Sequence, residues 1–198
     1  MNRLKRNTSN WSRWLHIYLS MFSFIILLFF AVTGITLNHT EWFADQQTTK
    51  NIKGIIKANW VTIKDTAKIP KLDIVEYLRN THAIKGAVGE FSIDDYQCAI
   101  SFNGAGYTAD VFINRGDASY EVIETRTGIW GVLNDLHKGR DAGKTWAWLI
   151  DASAVLMVLV SMTGLIMLFF LKKKRVSGIL IMVLGGLICY LVYRIFVP

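Results

Sequence analysis

Apolar residues gather into three long blocks, Trp14–Leu37, Trp146–Leu171 and Val176–Val197. Each reaches the ~20 residues that a helix needs to cross a bilayer. Between the first two blocks the pattern changes. Lys71–His82 carries Leu72, Ile74, Val75 and Leu78 on one side, which predicts an amphipathic helix. Alternation then predicts strands over Ala87–Ile93, Gln97–Phe102, Tyr107–Asn114 and Tyr120–Arg126, the second ending in an Asn103-Gly104 turn signal. Gly128–Lys138 predicts a second helix feeding into the second apolar block, whereas Ala44–Thr66 is polar with weak periodicity. The expected fold is membrane α-helical, with three transmembrane helices and an α+β domain over residues 38–145, between helices 1 and 2.

The first block follows a basic start, as a secretory signal would. Its apolar run exceeds the ~7–15 residues of a signal core, and no small-x-small site follows, so a retained span is expected. The net charge of +7 is concentrated beside the spans, at Arg3, Lys5, Arg6 and Arg13 and at Lys172-Lys173-Lys174-Arg175. Basic loops stay cytoplasmic. Residues 1–13 and 172–175 are therefore expected inside, and the 38–145 domain and the C-terminus outside. The charge is accounted for by orientation and lipid headgroup contact, and no nucleic-acid partner is implied. Cys98 and Cys189 belong to different regions and are not expected to pair; no CxxC motif is present. HExxH, GxSxG and P-loop patterns are absent too. The chain does not read as a hydrolase, and at most as an oxidoreductase component.

The four histidines hold the candidate chemistry. His16 and His39 bracket the first span and His137 precedes the second. In a helix, His16 and His39 would lie about 35 Å apart, one near each membrane face. Neutral imidazole ligates metals and haem iron. Thr33-Gly34-Ile35 in the first span is echoed by Thr163-Gly164-Leu165 in the second. Each glycine admits a close neighbour or a flat ligand, and ordinary helix packing explains it equally well. His82 reads as surface polar, and Trp11, Trp14, Trp42, Trp146 and Trp148 as membrane-interface anchors. Asp151, early in the second span, is costly unless paired or wet; Lys144 or an imidazole N–H are its candidate partners.

Trp14-Leu15-His16-Ile17-Tyr18-Leu19-Ser20, Thr33-Gly34-Ile35-Thr36-Leu37-Asn38-His39 and Gly131-Val132-Leu133-Asn134-Asp135-Leu136-His137-Lys138-Gly139-Arg140 resemble blocks of the PepSY-associated transmembrane family. The likeness is to its short, three-span branch and covers most of the chain, with the domain between spans corresponding to PepSY. The resemblance implies a haem b electron-transfer protein of the bacterial inner membrane, with one or two haems per chain or per dimer. His39 and His137 would hold haem iron, with Asn38, Asn134 and Asp135 orienting them and Arg140 and Lys138 facing propionates. His16 would serve a second centre only with Met167, Met182 or another subunit's His16 as its partner. Relatives of this size look like partners of periplasmic flavin-carrying proteins, and larger ones include ferric-siderophore reductases. Three spans instead of four or more, and no flavodoxin-like or nicotinamide-binding segment, point away from a self-contained NADPH route. Three spans are few to enclose haem, so a homodimer or a second membrane subunit is expected.

Two other classes remain. The domain could be a binding or regulatory module that the spans merely anchor, with His39 and His137 as interfacial residues capping helix ends. Alternatively, His39 and His137 could bind copper or another ion directly in a metal-handling accessory protein. Two histidines with few carboxylates or sulfurs nearby make a thin site of that kind.

Overall fold

The computed structural model describes residues 3–171 and 173–197. Lys172, part of the basic 172–175 segment, lies outside the described residues, as do Pro198 and the side chains of Arg3, Lys5 and Arg6. Among the described residues three helices are long and apolar enough to cross a membrane: α1 (Arg3–Asn38), α5 (Gly143–Phe170) and α6 (Arg175–Phe196). Between α1 and α5 the chain forms a 3-10 turn (Thr40–Gln46), β1 (Thr48–Ile55), α2 (Ala58–Val61), α3 (Lys71–His82), β2 (Ala87–Ile93), β3 (Gln97–Gly104), β4 (Tyr107–Asn114), β5 (Ser119–Arg126) and α4 (Ile129–Lys138). Two compact units result: Met1–Leu28 with Asp151–Pro198, and Phe29–Ile150.

In the first unit, α1 turns a stripe of small polar residues inward. Ser9, Ser12 and Ser23 are buried, as are Ser153 and Thr163 on α5. Lipid is as apolar as leucine, so membrane helices gain little from burying apolar side chains against each other. Small residues bring backbones close and exchange hydrogen bonds. Ser12 Oγ accordingly donates to the Thr163 carbonyl at 3.3 Å. α6 is different: apart from Gly178, which receives Leu168, and its neighbour Ile179, its residues are exposed.

In the second unit the five strands form one antiparallel sheet, ordered β1-β5-β4-β3-β2. Alternation sends Ile100, Phe102, Ala109, Val111, Ile113 and Val122 to one face. There they pack with Ile74, Val75 and Leu78 of α3. Cys98 belongs to this face and is fully buried; burial pushes its thiol pKa up. Behind the core, buried Arg115 gathers three loop carbonyls. Its Nε donates to Val61 at 3.0 Å, Nη1 to Asp94 at 2.5 Å and Nη2 to Ile63 at 2.5 Å. The opposite sheet face, with Phe112 and Glu90, is uncovered.

The helix over Lys71–His82 and the strands over Ala87–Ile93 and Tyr107–Asn114 stand where the pattern put them. Two features differ. β1 arises within the stretch that showed weak periodicity. It is an edge strand whose residues stay mostly exposed, so burial left little mark on its sequence; the ladder from Thr48↔Arg126 to Ile55↔Ser119 holds it. The β3–β4 turn falls at Ala105-Gly106, two residues past Asn103-Gly104. Keeping Phe102 and Ala109 paired and inward fixes that register, and Gly106 supplies the positive φ of 70°. The helix expected over Gly128–Lys138 forms as α4 and stops at Gly139, whose φ is 68°. Gly139 N–H bonds the Leu136 carbonyl and Arg140 N–H the Asp135 carbonyl, a Schellman closure that separates α4 from α5. Trp146 bridges the break by donating from Nε1 to the Leu136 carbonyl at 2.7 Å.

Candidate cofactor-binding histidines

Each Thr-Gly pair is matched by one imidazole. In the first unit, His16 Nδ1 lies 3.2 Å from the Val160 carbonyl and 3.0 Å from Thr163 Oγ1. A carbonyl only accepts, and the Thr163 hydroxyl donates its one hydrogen to the same carbonyl at 2.8 Å. Nδ1 therefore bears the proton. Gly164 makes this fit: a Cβ there would come 3.1 Å from His16 Cε1.

The second unit repeats the arrangement with roles exchanged, α1 now supplying the threonine. His137 Nδ1 lies 2.6 Å from Thr33 Oγ1. The Thr33 hydroxyl bonds back to the Phe29 carbonyl at 2.6 Å, the usual choice of a helical threonine. Its oxygen is then free to accept from His137 Nδ1–H. The edge of the ring meets Phe30 at 5.0 Å, and Gly34 lies beside Cε1. Burial, and then the Lys138 charge, hold the His137 pKa below the ordinary imidazole value, which keeps the ring neutral.

His39 follows the end of α1. Its ring stacks on Trp42 at 4.1 Å, and Nδ1 lies 3.2 Å from the Glu41 carboxylate. Hydrogen bonds from its own backbone N–H and from His39 hold the Glu41 carboxyl below the usual range. The carboxylate accepts, so Nδ1 donates here too. His82 is the exception. It is half-buried rather than surface polar, and its Nε2 bonds Tyr120 Oη at 2.6 Å. Burial, then Lys50, lowers its pKa.

Among the described residues, the Nε2 atoms of His16, His39 and His137 make no hydrogen bond. An imidazole anchored through Nδ1–H has a fixed ring, a defined tautomer and a more basic Nε2 lone pair, which suits it to bind a metal. The donor chemistry thus fits a haem iron. Among the described residues no hydrogen bond or ring contact joins His39 to His137. The expected orienting groups do other work: Asn134 accepts from Thr36 at 2.6 Å, Asp135 accepts from Gly106 N–H at 2.9 Å, and Asn38 is exposed. Thr33, Thr163 and Glu41 hold the rings instead. Arg140 and Lys138 are exposed. Near His39, a cavity of about 390 Å³ opens between the 3-10 turn and α4, lined by Glu41, Phe43, Gly131, Asn134, Asp135 and Lys138. No group of three or more His, Cys, Asp or Glu side chains forms a metal site among the described residues. Asp151 makes neither an ion pair nor a hydrogen bond among them.

Three membrane-length helices with an α+β domain inserted after the first define the class of protein. Residues 10–198 match the family described as "Putative PepSY_TM-like", and the chain belongs to that family. Comparison with curated proteins and with solved structures gives no match.

Proposed function

We propose that this is a haem b electron-transfer protein of the bacterial inner membrane, with its N-terminus cytoplasmic and its C-terminus and inserted domain periplasmic. It passes electrons to or from a periplasmic partner, either a flavin-carrying redox protein or a ferric chelate. His39 and His137 are the proposed iron ligands, His16 belongs to a second centre, and Arg140 is available to a propionate. The observation that carries the reading is the shared engagement of Nδ1. The three histidines at the membrane-length helices engage Nδ1 and leave Nε2 open, while the one histidine away from them, His82, engages Nε2. Haem bound there would supply one-electron transfer, at a potential set by its ligands and their surroundings. The protein's own contribution is to fix the rings before iron arrives: Thr33 holds His137, Glu41 and Trp42 hold His39, and Thr163 with Gly164 holds His16. Lys173, Lys174 and Arg175 support the orientation.

The test is an oxidised-minus-reduced visible spectrum of detergent-purified protein from haem-replete cells, with haem counted per chain. A sharp b-type α-band, abolished by His39→Ala and by His137→Ala, supports the assignment. A remainder lost only with His16→Ala supports the second centre. A colourless protein refutes the cytochrome reading and leaves the inserted domain, with its own core and uncovered sheet face, as an anchored binding module.

A further inference from the structure

Asp151 is the sole acidic residue in the three membrane-length helices, and Arg194 the sole basic residue of α6 beyond its first position. α5 and α6 are consecutive membrane-length helices joined by one turn, and consecutive spans cross a bilayer in opposite directions. Asp151 lies 19 residues before Phe170, the last of α5, and Arg194 lies 19 residues after Arg175, the first of α6. At ~1.5 Å per residue both stand about 28 Å from the turn. Opposite charges therefore occupy equal depth, whichever way the chain faces across the bilayer.

Within one chain neither makes a hydrogen bond or an ion pair among the described residues, and both are exposed. Asp151 projects away from the side of α5 that buries Ser153, with Val155, Val158 and Met162 exposed on its own side. α6 presents apolar surface along nearly its whole length, and nothing stands within 4 Å of where a Cβ would sit at Gly185 or Gly186. Ionisable residues in membrane helices usually face a bundle interior and pair. We propose that these surfaces meet in a symmetric dimer, Asp151 of each copy pairing with Arg194 of the other. A twofold axis along the membrane normal preserves depth and turns one complementary pair into two reciprocal ones, the signature of an isologous contact. A second copy is favoured over a foreign subunit because this chain already carries both charges at the matching level. The proposal is independent of haem.

The experiment co-expresses two tagged full-length chains in a Cys189→Ser background, one with Asp151→Cys and the other with Arg194→Cys, and oxidises native membranes. Cys98 is fully buried and stays. A disulfide between the two tagged chains is expected. Dimer affinity in nanodiscs, read by energy transfer between labelled copies, should fall at least tenfold for Arg194→Glu and recover in Asp151→Arg/Arg194→Glu. Three results overturn the proposal: no cross-chain disulfide, a monomer at all protein-to-lipid ratios, or charge reversal without effect. Capture of a different membrane protein by the Arg194→Cys chain, in place of the second copy, overturns it as well.

Discussion

Replacing Arg115 by methionine keeps the apolar stem but removes the fork that holds Val61, Ile63 and Asp94. Three carbonyls lose a cationic donor, at distances of 3.0, 2.5 and 2.5 Å. A hydrogen bond to a charged group contributes about 1.5–3 kcal/mol. Simple addition over-counts, because the guanidinium nitrogens reach partly wet surroundings where water can replace them; a net loss of about 3–4 kcal/mol is the working figure. For a domain of this size each kcal/mol moves the melting temperature by roughly 4–8 °C, so the inserted domain should melt at least about 12 °C lower. The ammonium of Arg115→Lys cannot span three acceptors and should recover less than half of the loss. Hydrogen exchange on peptides from β3, β4 and β5 of the full-length protein, followed against temperature, reads this domain separately from the membrane-length helices. If Arg115→Met melts within about 3 °C of wild type, the carbonyls are satisfied without the guanidinium and the account of this staple is wrong.

The folded-state pKa of His82 lies below 6.5, so the unfolded chain binds more protons as pH falls past that value. Its contribution to stability should be complete above pH 6.5 and diminish as the medium is acidified toward the folded value; a denaturation midpoint whose slope from pH 7.5 to 5.5 is unchanged by His82→Gln would contradict this. Asp94 and Asp117 are lowered by backbone and side-chain hydrogen bonds, so acid melting linked to them should begin only as pH falls through about 4. Gly164→Leu should displace the His16 ring and mix its tautomers, seen as averaged imidazole ¹⁵N shifts where the wild type shows a single Nδ1–H form. A maleimide should label Cys98, which is buried with a raised pKa, at least tenfold more slowly in the folded protein than after denaturation; equal rates would mean that the β3 core is open.

Much of the architecture is legible in the sequence. The three apolar blocks have the length of a bilayer crossing, and the 3.6-residue period of Lys71–His82 and the two-residue period of Tyr107–Asn114 each mark one face of an element turned to a core. β1 was not legible, because an edge strand is specified by its ladder to β5, more than 60 residues away, and not by its own alternation. The Asn103-Gly104 turn signal was real but was overruled by the register that keeps Phe102 inward. At the candidate site, sequence could single out the histidines and the repeated Thr-Gly pairs but could not join them. His137 finds Thr33 across 104 residues, and His16 finds Thr163 across 147. Sequence thus singled out the candidate groups. Tertiary structure decided which oxygen holds each Nδ1–H and so which nitrogen is left open, because a tautomer depends on the acceptor that packing brings to the ring.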